Sequence, residues 1–319
     1  MSHPELVTVF GGSGFVGTQL VQQLARAGYR VRVAVRRPDL AGHVRPLGAV
    51  GQVVPIQANL RNRASVAAAV AGASVVVNLA AIGIERGKQR FRAINVNGAR
   101  NVAEAARLAG VKTLVHMSIL GADEASPSLF ARSRAMGEAE VRKAFPSAII
   151  FRPSVIFGID DDFFNRLGFL ARSLPVMPVF HGKTQFQPVY VGDVAEALAA
   201  AVTGNAKAGK TYELGGPEVA TYRALVERVL RDASRPRPIL PLPAAIGSLL
   251  AIPMQLLPNP LLAADQMELL AIDNVVSAEA VKDKRTLASL GIAPRALETV
   301  LPGYLWRFAP NGQFDRQTA

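Results

Sequence analysis

Leu6-Val7-Thr8-Val9-Phe10 runs directly into Gly11-Gly12-Ser13-Gly14-Phe15-Val16-Gly17, and a helical pattern through Leu20, Leu24 and Ala27 then stops at Gly28. Strand, glycine turn and helix in that order are the context in which spaced glycines acquire a meaning. Gly11 permits a tight turn, Gly14 lets main-chain N–H groups approach a pyrophosphate, and Gly17 lets the helix lie close on the strand. The reading predicts a phosphate-binding turn at the start of a doubly wound, Rossmann-type α/β fold.

The next strand, Val31 to Val35, ends in Arg36-Arg37, about 25 residues beyond Gly11. An NAD-binding unit places a carboxylate near that point for the ribose 2′-hydroxyl, whereas arginine favours a 2′-phosphate. NADP(H) is therefore the expected ligand ahead of NAD(H). Val53–Ala58, Val75–Ala81 and Thr113–Met117 read as further strands, with helices over Ser65–Ala71 and Asn95–Ala109. Apolar strands alternating with helices predict a parallel sheet covered on both faces, with ligand at the carboxyl ends of its strands. Asn59, Asn78, Ala80 and Ser118 fall at such ends.

Composition narrows the classes. Half of the 319 residues are hydrophobic and 19% are charged, which excludes disorder for the bulk of the chain. With no cysteine, disulfide frameworks, thiolate catalysis, iron–sulfur clusters and cysteine-bound zinc are excluded. The net charge of +12 is uneven: residues 1–150 carry 19 Lys and Arg against 8 Asp and Glu. Such a field suits an anionic ligand or an acidic surface. Aromatics are 6% and no tight Lys/Arg run occurs, so nucleic acid is not an expected partner. The opening MSHPELVTVF lacks a basic stretch followed by an apolar one, so a cytoplasmic location is expected.

Beyond the glycine turn, Asn78-Leu79-Ala80-Ala81, Asn95-Val96-Asn97-Gly98, Arg152 to Gly158 and Val189 to Ala195 give the chain a resemblance to the extended and atypical short-chain dehydrogenase/reductases. The resemblance implies a cofactor site of Gly11, Gly12, Ser13, Gly14, Phe15, Val16 and Gly17 at the pyrophosphate. Arg36 and Arg37 then meet the adenosine ribose, and Asn59 and Leu60 lie by the adenine. Leu79, Ala80 and Ala81 line the next strand end, and Pro153, Ser154 and Val155 lie beside the nicotinamide. Those enzymes use a serine, a tyrosine and a lysine, because the ammonium lowers the phenol pKa for proton transfer. Ser118 matches the serine, but Phe130 stands for the tyrosine and Arg134 for the lysine. Phenylalanine has no proton to give, so no intact catalytic set is expected; Ser118 and Arg134 remain as nucleotide contacts. His116 reads as a packed core histidine and Asp160-Asp161-Asp162 as a loop or helix cap, with no metal.

A more specific likeness extends further. Phe151–Phe157, Asp161–Arg166, Phe186–Asp193, Asp265–Leu270, Asp273–Val276 and Leu305–Phe308 resemble the dehydrogenase-like, nucleotide-binding accessory subunits of respiratory complex I and their bacterial relatives. By that resemblance the nucleotide is a structural element and the partners are complex I subunits or a related membrane assembly. Two rival readings stand beside it: an NADPH-dependent reductase or sugar-nucleotide-type epimerase, and an NADP(H)-sensing regulatory module.

The second half is irregular and proline-rich. Helices are expected over Asp193–Val202 and Thr221–Asp232, with a strand at Thr211–Leu214. Residues 239–264 carry no charge, but five prolines, at 241, 243, 253, 258 and 260, argue against a membrane span. A cap over the nucleotide domain or a surface dipping into an anionic lipid interface are the two readings, the latter with Arg235, Arg237, Trp306 and Arg307 at headgroup level. This places the protein peripherally on the inner face of the cell membrane. The expected organisation is a nucleotide-binding domain over 1–185 and a smaller α+β lobe over 186–319, with a soft boundary and chain passing between them.

Overall fold

The computed structural model describes residues 5–243, 264–312 and 314. Most of the uncharged 239–264 stretch, and the polar end beyond 314, lie outside the described residues. The chain divides into two compact units, each discontinuous in sequence: Met1–Pro153, Val191–Leu214 and Ser277–Ala293 form the first, while Ser154–Tyr190, Gly215–Val276 and Pro294–Ala319 form the second. Residues 191–214 and 277–293 thus return to the first unit after the proline-rich region has begun.

The first unit is built on a seven-stranded sheet. Its strands are β1 (Leu6–Phe10), β2 (Arg30–Val35), β3 (Val53–Gln57), β4 (Val75–Asn78), β5 (Thr113–Met117), β6 (Ile149–Pro153) and β11 (Thr211–Leu214). The order is β11-β6-β5-β4-β1-β2-β3, and each neighbouring pair is parallel. Strands this apolar suit a sheet buried on both faces: Val7, Val9, Val33, Val76, Val77 and Val115 are all shut off from solvent. On one face α2 (Arg63–Val70), α3 (Asn97–Leu108) and α4 (Leu129–Ala144) bury Val66, Val102 and Val141 over Phe10, Val76 and Leu114. Two other helices, α1 (Phe15–Arg26) and α6 (Val191–Val202), pack together, and Gln23 Nε2 donates to the Gly192 carbonyl at 3.3 Å. The strand order reverses between β1 and β4, which opens a crevice at the carboxyl ends of the strands.

The turns follow their residues. Gly28, at φ +86°, closes the end of α1 in a conformation that suits glycine. Asn62, Ser128 and Thr221 cap α2, α4 and α7 (Tyr222–Asp232) by accepting main-chain N–H bonds. The helix expected over Asn95–Ala109 is preceded by a wider π turn, Arg92–Val96. That turn carries Asn95 into the interior, where it bonds the Ile82 main chain in both directions and donates to Ser133 Oγ at 2.9 Å.

The second unit has short paired strands: β7 (Ile156–Phe157) with β10 (Val189–Tyr190), β9 (Gln185–Phe186) with β12 (Ala220–Thr221), and β8 (Met177–Val179) with β13 (Ile239–Pro241). Its core forms around α5 (Phe163–Ser173) and α7, with Phe157, Phe164, Leu225, Leu301 and Tyr304 buried. A Cβ on Gly168 would sit 2.4 Å from the Phe308 ring, so this glycine lets α5 rest directly on that residue. Among the described residues no helix is long and apolar enough to cross a membrane.

Candidate functional site

The glycine turn has the geometry of a phosphate cradle. Gly11 sits at φ +77°, and a Cβ there would lie 3.1 Å from the Ala80 nitrogen, so the turn after β1 rests against the turn after β4. A Cβ on Gly17 would come within 2.3 Å of the Gly11 carbonyl oxygen, which makes glycine necessary for the start of α1 to reach the strand. Gly14 is exposed, and its Cβ direction meets only the Gly11 oxygen at 3.4 Å. No side chain caps α1 and no acid lies in its first turn, so the positive end of the helix is left to an anion. Gly12 and Val16 are buried beneath the turn, while Ser13 and Phe15 are partly exposed at its rim.

Arg36 and Arg37 are both exposed beyond β2. Arg37 is already engaged: its Nη2 lies 2.7 Å from Asp39 Oδ2, and this hydrogen bond holds the Asp39 carboxyl below the usual carboxylate range. After β3, Asn59 shapes its own turn, accepting the Arg61 N–H at 3.1 Å, and Leu60 is buried with its carbonyl accepting from Asn101 Nδ2 at 2.7 Å. After β4, Asn78 is buried; its Oδ1 accepts the Ala80 N–H at 3.2 Å and its Nδ2 lies 3.2 Å from His116 Nδ1. Asn78 therefore fixes the turn that carries Leu79, Ala80 and Ala81. His116 is the packed core histidine its strand position implies. Burial first, and the Arg134 charge second, push its pKa down to about 3, so the ring is neutral at physiological pH.

Among the described residues three buried side-chain polar atoms lack hydrogen-bond partners, Arg100 Nε and two at this site. The Ser118 hydroxyl has no hydrogen-bond partner although the residue is 0% exposed, and neither has Nε of Arg134, which is 2% exposed. Such atoms usually cost about 1–3 kcal/mol when left unpaired, and the Ser118 and Arg134 atoms are available to a polar ligand group at the end of β5. Arg134 Nη2 donates to the Met117 carbonyl, the residue before Ser118. Burial brings the Arg134 pKa down to about 10 against the opposing pull of Glu138, so the guanidinium remains a cation at neutrality. Glu138 in turn holds Arg152 through two bonds of 2.8 and 2.9 Å. Phe130, one helical turn before Arg134, lies tilted against Phe91, ring centroids 5.9 Å apart, and offers no hydroxyl.

Pro153 ends β6 and its carbonyl accepts from Leu120 N–H at 2.9 Å. Ser154 and Val155 belong to the second unit, where Asn274 Oδ1 accepts from Ser154 Oγ at 2.6 Å and from Val155 N–H at 3.0 Å. In that unit Asp161 is a buried cap, accepting N–H bonds from Phe164 (2.7 Å), Asn165 (3.1 Å) and Gly158 (3.1 Å) and the Tyr304 hydroxyl proton. Among the described residues no group of three or more His, Asp or Glu could hold a metal ion.

In the first unit the structure thus brings Gly11–Gly17, Arg36, Asn59, Leu79–Ala81 and Ser118 to the carboxyl ends of neighbouring parallel strands. These residues fit a dinucleotide: an open glycine cradle, an uncapped helix start and unpaired buried donors answer its phosphates and hydroxyls. Such a cofactor supplies hydride chemistry when bound. The protein groups seen here can bind and orient it, but Ser118, Phe130 and Arg134 include no phenol whose pKa a neighbouring cation lowers for proton transfer. Residues whose part the motif did not reveal are Asn95 and His43, the latter with Nε2 3.2 Å from the Ser13 carbonyl.

The RmlD substrate binding domain family matches residues 5–261. The mitochondrial NADH dehydrogenase (ubiquinone) 1 alpha subcomplex subunit 9 of Arabidopsis thaliana is 35% identical over 321 residues, covering 96% of this chain and 79% of its own. A ceramide reductase of Caulobacter vibrioides is 36% identical over 195 residues, 61% of this chain and 60% of its own. Among solved structures, the dTDP-glucose 4,6-dehydratase DesIV of Streptomyces venezuelae, with NAD and TYD bound, superposes with a TM-score of 0.71 at 18% identity, over 95% of this chain and 96% of that one, and so shares the fold. With one residue in three shared along nearly the whole chain, the protein belongs to the complex I alpha subcomplex subunit 9 family, within the RmlD substrate binding domain proteins.

Proposed function

We propose that the protein binds NADP(H), in preference to NAD(H), as a fixed part of its structure with little or no turnover, and serves as an accessory or assembly subunit of respiratory complex I or a related membrane assembly. The observation that carries this reading is the pair Phe130 and Arg134 in a site whose other parts are well formed. An active enzyme of this fold needs a proton donor there, and losing a general acid costs about 10²–10⁴ in rate. A ligand that binds only the folded state stabilises it by about 2.7 kcal/mol at a hundredfold excess over Kd, a sufficient reason to keep a nucleotide that does not react.

The relatives named for complex I support the partner, and the uncharged, proline-broken 239–264 stretch supports a peripheral place on an anionic membrane surface, at the inner face of the cell membrane. Arg36 and Arg37 support the phosphorylated nucleotide. Neither nucleic acid nor a metal has a part in this reading. Native mass spectrometry of untreated protein tests it: retained NADP(H) and co-purifying complex I subunits are expected, and a preparation empty of nucleotide and indifferent to its addition overturns it.

The ceramide reductase match favours one second reading, an NADPH-dependent reductase with an unrecognised acid. Steady-state NADPH oxidation across carbonyl substrates separates the two, since brisk consumption ends the structural reading.

A further inference from the structure

Of the two arginines after β2, one is committed. Arg37 gives its Nε and Nη2 to Asp39, at 2.7–3.3 Å, leaving Arg36 as the cation at that strand end with no ion-pair partner among the described residues. The chain then winds through short helical turns, Pro38–Leu47, anchored by the buried Ala41 and Val44. Between those anchors the exposed His43 reaches back to the glycine turn, where its Nε2 lies 3.2 Å from the Ser13 carbonyl. A carbonyl only accepts, so Nε2 carries the proton of this bond and Nδ1 is the ring nitrogen left over. His43 therefore bridges the two loops, one after β1 and one after β2, between which the adenosine ribose of a dinucleotide lies in a doubly wound sheet.

We propose that His43 is a specificity-determining residue for the 2′-phosphate, acting beside Arg36 and taking up a second proton as it donates from Nδ1 to the phosphate. The inference rests on the NADP(H) reading above. The charged groups on elements packed against this segment are Arg36, Arg37, Asp39 and Arg45 along it, Arg30 and Arg32 on β2, and Arg26 on α1. The glycine turn and β3 carry no charge, and the one carboxylate, Asp39, is held by Arg37. A phosphate bound here offsets part of this excess. Histidine suits the task because it changes charge near neutrality, and the charge-assisted bond is confined to the phosphorylated nucleotide.

The test is calorimetric titration of NADPH and of NADH into wild type and His43→Gln at pH 6.5 and pH 8. Glutamine keeps an N–H for the Ser13 carbonyl but cannot take a second proton, so it preserves the loop and removes the cation. Wild type is expected to bind NADPH more tightly at the lower pH while NADH affinity stays level. His43→Gln is expected to weaken NADPH roughly tenfold at pH 6.5 and to flatten its pH dependence, with a far smaller change for NADH. A variant that keeps both the NADPH preference and the pH dependence shows that His43 is only a loop latch and overturns the proposal. A wild type that binds both nucleotides equally at both pH values removes the NADP(H) preference and this role with it. Failure of wild type to bind either nucleotide instead brings down the nucleotide-holding function as a whole.

Discussion

Arg134 donates through Nη2 to the carbonyl of Met117, so a helix side chain is tied to the end of β5 directly before Ser118. The bond fixes a buried cation where the resemblance places a lysine, and it leaves Nε and the neighbouring Ser118 hydroxyl unpaired. Those two atoms are the ones a ligand at this strand end can pair.

Ser118→Ala removes a buried hydroxyl that has no hydrogen-bond partner among the described residues and that, under the proposed function, pairs with the nucleotide. The nucleotide-free variant is expected to be more stable than wild type by about 1 kcal/mol, while nucleotide affinity falls about three- to tenfold. Denaturant unfolding of stripped protein and calorimetric titration read the two effects separately. A loss of stability in the stripped protein contradicts the account.

Gly14→Ala and Gly17→Ala make opposite tests of one turn. The methyl at 14 meets open space apart from the Gly11 oxygen at 3.4 Å, so the variant is expected to fold with wild-type stability yet lose nucleotide, because under the proposed function the pyrophosphate approaches at that point. The methyl at 17 meets main-chain atoms at 2.3 and 2.6 Å and is expected to cost about 2–3 kcal/mol of stability. Melting curves with and without NADPH separate the two: the first variant loses only the ligand-induced shift, and the second melts earlier in both.

His116 gives the fold an acid limit. Its folded pKa is pushed down to about 3 from an ordinary value of 6.5, so below pH 6.5 the unfolded chain binds a proton that the folded one refuses. The histidine is thus without penalty above pH 6.5, and stability falls as pH drops from 6.5 towards 3, by up to about 1.4 kcal/mol per pH unit. His116→Gln is expected to flatten that part of the stability profile, measured by urea unfolding at intervals between pH 7 and pH 4.5. A parallel loss in both proteins assigns the acid sensitivity elsewhere.

Tyr304→Phe addresses the second unit alone. The phenol proton is one of four hydrogen bonds to the buried Asp161 carboxylate, whose pKa burial has already raised against the pull of those bonds. Removing it is expected to cost about 1–3 kcal/mol, because the carboxylate stays buried with one partner fewer. Nucleotide affinity at the glycine turn is expected to stay as in wild type, which calorimetry checks.

The sequence by itself determined the β1–turn–α1 unit, the strands Thr113–Met117 and Thr211–Leu214 at their observed bounds, and the absence of a proton donor at Phe130. These are local matters: apolar alternation, glycine spacing and side-chain chemistry all act within a few residues. Tertiary structure alone decided that 191–214 and 277–293 rejoin the first unit, that a π turn carries Asn95 inward, that Asp39 occupies Arg37, and that His43 returns to Ser13. Each depends on partners far apart in the chain or on a loop's closure, and hydrophobic period carries no information about either. The same holds for Arg134. Its charge can be read from the sequence, but its burial and unpaired Nε follow from how closely α4 lies against the end of β5.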